Sequence, residues 1–145
     1  MRIIFLDTET TGNSDNDRLV QLAVKEWFVE EPLLNALYKP PVSISIESMA
    51  IHHITEKMVA KRPAFKDAPE YSGLKDLLES DETIVVAHNA SFDTAMLARE
   101  GVVLNQSICT YKVAYALDPS DTLPNYRLQY LRYLLDLDVE AEAHD

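Results

Sequence analysis

Two carboxylates, Asp7 and Glu9, follow the apolar run Ile3-Ile4-Phe5-Leu6 and precede Thr10-Thr11-Gly12. In a strand, residues two apart point to the same face, so these acids lie side by side where the strand leaves the core. Carboxylates that close raise each other's pKa unless positive charge stands between them. A divalent cation is the usual source, because hard metals take oxygen ligands. Gly12 lets the backbone turn tightly or approach a ligand. An isolated acid-x-acid pair is most often solvated surface, so the reading needs a further acid. Val86-Ala87-His88-Asn89-Ala90-Ser91-Phe92-Asp93 supplies one, with a buried strand running through a polar turn into a helix. Asp93 falls in that helix's first turn, where the helix dipole alone would stabilise it. If the two strands are sheet neighbours, Asp93 converges on Asp7 and Glu9, and three carboxylates at one sheet end make a cation site.

The elements that must position these groups are legible from periodicity. Ile3–Leu6 and Ile84–Ala87 are apolar runs of strands buried on both faces. Arg18–Val29 reads as a long strand with Val20, Leu22 and Val24 on its core face, and Leu33–Tyr38 as a shorter one. Ser48–Arg62 predicts one or two short helices, with Ser48 or Thr55 as N-caps. Asp67–Glu79 predicts a helix facing the core with Tyr71, Leu74, Leu77 and Leu78. Ser91–Glu100 predicts another, stopped by Gly101. A short fifth strand at Ser107–Cys109 and a helix at Tyr111–Leu117 follow. Arg127–Leu135 is helical, with Leu128, Leu131, Leu134 and Leu135 toward the core, and Glu140–Asp145 opens one more helix. Three meandering strands followed by strand–helix alternation give an α/β domain with a mixed sheet.

The 145 residues suffice for one domain with a proper core, and 47% of them are hydrophobic. No apolar run is long enough to span a membrane, and the first strand begins too early to leave room for a signal peptide. Cys109 is the single cysteine, which excludes an intrachain disulfide and makes a cytoplasmic location the expectation. The net charge of −11 argues against a protein that grips nucleic acid over a broad basic surface. It leaves room for an enzyme that holds a few nucleotides through cations and backbone amides.

Asp7-Thr8-Glu9-Thr10-Thr11-Gly12 and His88-Asn89-Ala90-Ser91-Phe92-Asp93 resemble the first two motifs of the DEDDh 3′→5′ exonucleases. The resemblance takes in that family's exonuclease X-like and DNA polymerase III epsilon-like branches, within the RNase T-like superfamily. Ile51-His52-His53-Ile54-Thr55 is similar to a family segment in which glycine is common at the position of His53, and Ile108-Cys109-Thr110 to its fifth strand. The family's third motif is a histidine followed after a short gap by an aspartate. Ala143-His144-Asp145 looks like its start, so the sequence is expected to be a single exonuclease domain, 1–145, cut within its last helix.

The resemblance implies a ribonuclease H-like fold, a five-stranded mixed sheet with helices on both faces. It implies hydrolysis of the phosphodiester at a 3′ end, releasing nucleoside 5′-monophosphates. Two divalent cations, Mg²⁺ or Mn²⁺, would stabilise the attacking and leaving oxygens. Asp7 would bridge them, with Glu9 and Asp93 as the other ligands. His144 would accept a proton from the attacking water. Backbone amides of Thr10, Thr11 and Gly12 would meet the terminal sugar and phosphate. His52 and Asn89 are further substrate-binding candidates. Phe92 is either a core residue or a platform for the terminal base. The expected partner is a single-stranded or frayed 3′ end, DNA ahead of RNA, with a polymerase as a candidate protein partner. Rival readings are an RNA-directed exoribonuclease of the same fold and a module that keeps the fold without activity. A phosphotransfer domain would need a glycine-rich phosphate loop, which a chain with 3 glycines and no G-x-x-x-x-G-K lacks.

Overall fold

The structure, a computed structural model, describes residues 1–137. Strands β1 (Arg2–Thr10), β2 (Leu19–Glu26) and β3 (Leu34–Leu37) form an antiparallel meander. Helices α1 (Ile46–His52), α2 (Glu56–Val59) and α3 (Tyr71–Leu78) follow, then β4 (Thr83–Ala87), α4 (Ala90–Arg99), β5 (Ser107–Cys109), α5 (Thr110–Ala116) and α6 (Leu128–Leu134). The sheet order is β3-β2-β1-β4-β5, with β4 parallel to β1 and β5 parallel to β4. This is the expected five-stranded mixed sheet.

The main core lies on one face of that sheet. Ile4 and Leu6 from β1, Leu22 and Val24 from β2, and Val85 from β4 meet Leu74 and Leu78 of α3 and Met96 and Leu97 of α4. Each such fully buried aliphatic side chain contributes about 1.5–3 kcal/mol. The opposite face begins with Phe5, stacked on Trp27 at a centroid distance of 5.3 Å. Tyr111 of α5 stands edge-on to the His88 ring, just past the end of β4.

Several elements differ from the sequence expectation, each for a local reason. β1 runs to Thr10, so Asp7 and Glu9 lie within it, paired with Ala23 and Gln21 of β2. Its pairing with β4 ends at Phe5 and Val86, so on that side the acids overhang the sheet. An irregularity between Glu9 and Thr10 shifts the β2 register. Leu19 therefore joins the main core while Val20 enters a second small core with Ile44, Ile54 and Val59. β2 ends before Trp27 because Phe28 turns with φ 62°. α1 is capped by Ser45, whose Oγ accepts the Ser48 N–H at 3.0 Å, and Thr55 flanks α2 without a side-chain cap bond. The stretch before Pro69 is a single 3₁₀ turn, Phe65–Asp67, since proline disfavours helix at the residue preceding it. α6 buries none of its leucines among the described residues. The expected helix at 140–145 lies outside the described residues.

Candidate active site

Asp7 and Glu9, on the overhang of β1, and Asp93, in the first turn of α4, are electrostatic neighbours. Thr8 Oγ1 donates to Asp93 Oδ1 at 2.7 Å, which fixes the first turn of α4 against β1. Asp93 is 3% exposed. Burial, outweighing the Thr8 bond, and the charge of Asp7 push its pKa up to about 6. Burial, then Asp7 and Asp93, push Glu9 up to about 7. Asp7 is open to solvent on one side, yet partial desolvation raises its pKa too, against the opposing influence of the Thr8 backbone and His88. No lysine or arginine forms an ion pair with any of the three among the described residues.

Uncompensated, hard oxygen donors that repel one another fit a divalent cation. The three acids are electrostatic neighbours and not a closed cage: among the described residues, no three His, Cys, Asp or Glu side chains form a ready-made ligand group. Ligation therefore requires side-chain rotation into a common point.

A cleft of about 510 Å³ opens beside the acids, lined by Thr8, Glu9, Thr10, Gly12, His52 and Phe92 among others. His52 is buried, and both ring nitrogens meet backbone. Ile54 N–H donates to Nδ1 at 3.0 Å, so the proton sits on Nε2, which donates to Thr10 O at 3.1 Å. The ring thus braces the strand end that carries Glu9. His53 closes α1 at φ 58°, the left-handed conformation that glycine adopts most easily, which accounts for glycine being common there in the resembling family. Asn89 is likewise left-handed, at φ 65°, a conformation asparagine tolerates. Its place before α4 is thus explained by backbone geometry, and it does not line the cleft.

Thr11 is fully buried and its groups are engaged: its N–H donates to Arg18 O at 2.9 Å and its hydroxyl to Asp17 Oδ1 at 2.7 Å. Gly12 packs so closely on Asp17 that a Cβ would stand 2.5 Å from its carboxylate oxygen. The close approach that the glycine permits is therefore to Asp17. That carboxylate also takes the Ser14 N–H and hydroxyl at 2.7 Å each, so it cannot easily give way. Its bonds from Ser14 and Thr11 hold its pKa below the usual value.

Sequence reasoning missed Ser45, Glu47, Ser48 and Ile51, which bring α1 to the cleft wall. No local signal marks them, because α1 is brought there by contacts with the distant end of β1, the Ser45 N–H donating to Thr11 O at 2.9 Å and His52 meeting Thr10 O. It also missed the pair Arg18–Glu100, with Nε to Oε1 at 2.7 Å and Nη2 to Oε2 at 2.8 Å, which ties the start of β2 to the end of α4. His144 lies outside the described residues.

The exonuclease family model RNase T matches residues 4–145. The chain belongs to the RNase T exonuclease family. It is 37% identical over 138 residues to Exodeoxyribonuclease 10 of Escherichia coli strain K12, covering 92% of this chain and 56% of that protein. It is 29% identical over 147 residues to the DNA polymerase III subunit epsilon of Treponema pallidum, covering 95% of this chain and 66% of that one. The chain thus spans little more than half the length of the first of these relatives. Among solved structures it resembles Exonuclease X in complex with 5′ overhanging duplex DNA, with a TM-score of 0.71 and 30% identity over 97% of this chain and 76% of that one.

Proposed function

We propose that this protein is a metal-dependent 3′→5′ exonuclease that hydrolyses the terminal phosphodiester of DNA and releases nucleoside 5′-monophosphates. The observation that carries the proposal is the coupled, uncompensated acid group Asp7, Glu9 and Asp93 beside an open cleft. Family membership supports it, and the likeness to a DNA-bound exonuclease favours DNA over RNA. Asp7, Glu9 and Asp93 would hold Mg²⁺ or Mn²⁺. Bound cations would supply a deprotonated water and charge stabilisation at the leaving oxygen.

The chain's own residues do the rest. Thr8 holds Asp93, and His52 holds the Thr10 carbonyl, so the strand end keeps its shape. Phe92 lines the cleft and is partly buried; its ring would stack on the terminal base, a contact that contributes about 1–3 kcal/mol. His144, carried over from the family resemblance, takes the proton of the attacking water. A polymerase partner rests only on the likeness to the epsilon subunit.

The test is product analysis on single-stranded DNA and RNA labelled at either end, with Mg²⁺, Mn²⁺ or chelator. Mononucleotide release from the 3′ end of DNA, dependent on metal, is expected. A faster reaction on RNA would reassign the substrate, and no mononucleotide with either metal would overturn the proposal.

A further inference from the structure

The molecule carries a net charge of −11, yet four of its 13 lysines and arginines gather at one corner. Lys39 follows β3, and Lys57, Lys61 and Arg62 lie on and just after α2. The Lys39 N–H donates to Pro63 O at 2.9 Å, which seats the end of β3 against the segment after α2. All four residues are exposed, and none joins an ion pair among the described residues. Arg2, Arg18, Lys75 and Arg99, by contrast, each face a carboxylate. Two acids flank the corner and temper its charge: Glu56 accepts the Ile44 N–H at 2.7 Å, and Glu70, which accepts the Tyr38 hydroxyl at 2.8 Å, lines the same cavity as Arg62. Asp67 is exposed beside Lys66. Lys66 turns away toward Gly101, its Nζ 3.8 Å from where a Cβ there would stand, and is not part of the group.

The sheet links this corner to the acid cleft through one residue pair. Gln21 pairs directly opposite Glu9, and Gln21, Asn35 and Arg62 line one cavity of about 400 Å³. Two strand spacings, about 10 Å, separate β1 from β3. From the other side, α1 lines the acid cleft with Ser48, Ile51 and His52, while its Met49 packs on the small core that also holds Val59 of α2.

We propose that Lys39, Lys57, Lys61 and Arg62 form a phosphate track for the nucleic-acid strand upstream of the nucleotide being removed. The inference rests on the exonuclease reading for the position of the 3′ end. The physical basis is contrast: on a surface that otherwise repels polyanions, a local group of unpaired cations focuses the field and sets the direction of approach. Their neutralisation by phosphates releases counterions, which makes the contribution visible as salt dependence.

The test uses the double variant Lys61→Ala/Arg62→Ala and the charge-conserving Lys61→Arg/Arg62→Lys. Binding of a long single-stranded DNA oligonucleotide is read by fluorescence anisotropy in chelator across a salt series. The slope of log K against log salt is expected to become shallower by about 1.4 in the alanine variant, at about 0.7 per lost phosphate contact. The charge-conserving variant should keep the parent slope. With Mn²⁺, KM for the long oligonucleotide should rise while kcat and cleavage of a trinucleotide stay unchanged. No measurable binding by the parent, an unchanged slope, or a slope lost equally in the charge-conserving variant overturns the track. A slope change in a parent that cleaves nothing would refute the exonuclease reading and leave the track standing.

Discussion

Thr8 Oγ1 and Asp93 Oδ1 stand 2.7 Å apart across 85 positions of sequence, a buried side-chain bond that joins β1 directly to α4. Thr8→Val keeps the shape and removes the donor. With Asp93 ionised, its buried carboxylate then loses a partner, at a cost of about 1–3 kcal/mol. The loss should be larger at pH 8 than at pH 5, because the Asp93 pKa of about 6 leaves the group mostly protonated at the lower pH. Urea unfolding at the two pH values checks this. Thr8→Ser should lose much less, and equal losses at both pH values would show that the hydroxyl matters only for packing.

Metal-free stability should fall as pH rises through the acid range. The folded pKa of Glu9, about 7, exceeds its ordinary 4.5, so between those values the folded state binds more protons than the unfolded chain. Asp93 adds the same sign between 3.8 and about 6. Asp17, Glu26, Glu79 and Asp118, whose pKa values are lowered, contribute the opposite slope, but below their ordinary values of 3.8 to 4.5. Tm in chelator is therefore expected to decline from pH 5 to pH 8, and saturating Mn²⁺ to remove most of the decline by binding the ionised acids. A metal-free Tm that climbs steadily over that interval would contradict the coupling.

Asp7→Asn should abolish cleavage while leaving metal-free Tm unchanged or higher. Asp7 raises the pKa of both Glu9 and Asp93, so removing its charge relieves repulsion in the folded state. Calorimetry with and without Mn²⁺, beside an activity assay, reads both effects. A sharp drop in the metal-free Tm would show that Asp7 serves the fold.

Glu100→Gln should be a stability variant with a secondary effect on the cleft. It breaks the two-bond pair with Arg18 and weakens the longer contact from Leu19 N–H. Arg18 is 29% exposed and can recover some solvation, so a loss of about 1.5–3 kcal/mol is expected. Because Arg18 N–H also bonds Thr11, the loop that carries Gly12 and Asp17 should loosen, raising KM more than it lowers kcat. Chemical denaturation and steady-state kinetics separate the two, and a KM that does not move would confine Glu100 to stability.

Ile3–Leu6, Ile84–Ala87 and the two acid-bearing stretches were readable from the sequence by themselves, because local physics decides them. Doubly buried strands are continuous apolar runs, an i, i+2 spacing places Asp7 and Glu9 together, and Gly101, at φ 82°, stops α4 as its type requires. Tertiary structure decided what depends on distant neighbours. The overhang that frees Asp7 and Glu9 exists because β4 stops pairing at Val86 while β2 continues alongside β1. The split of Leu19 and Val20 between two cores follows from a register shift that no pattern in β2 announces. His52 became a brace for Thr10, with both nitrogens on backbone, only once α1 had docked on the sheet. Burial and mutual charge set the pKa values of Glu9 and Asp93, and both are properties of three dimensions: desolvation and Coulomb energy depend on what surrounds a carboxylate, and an acid's type and spacing carry no record of that.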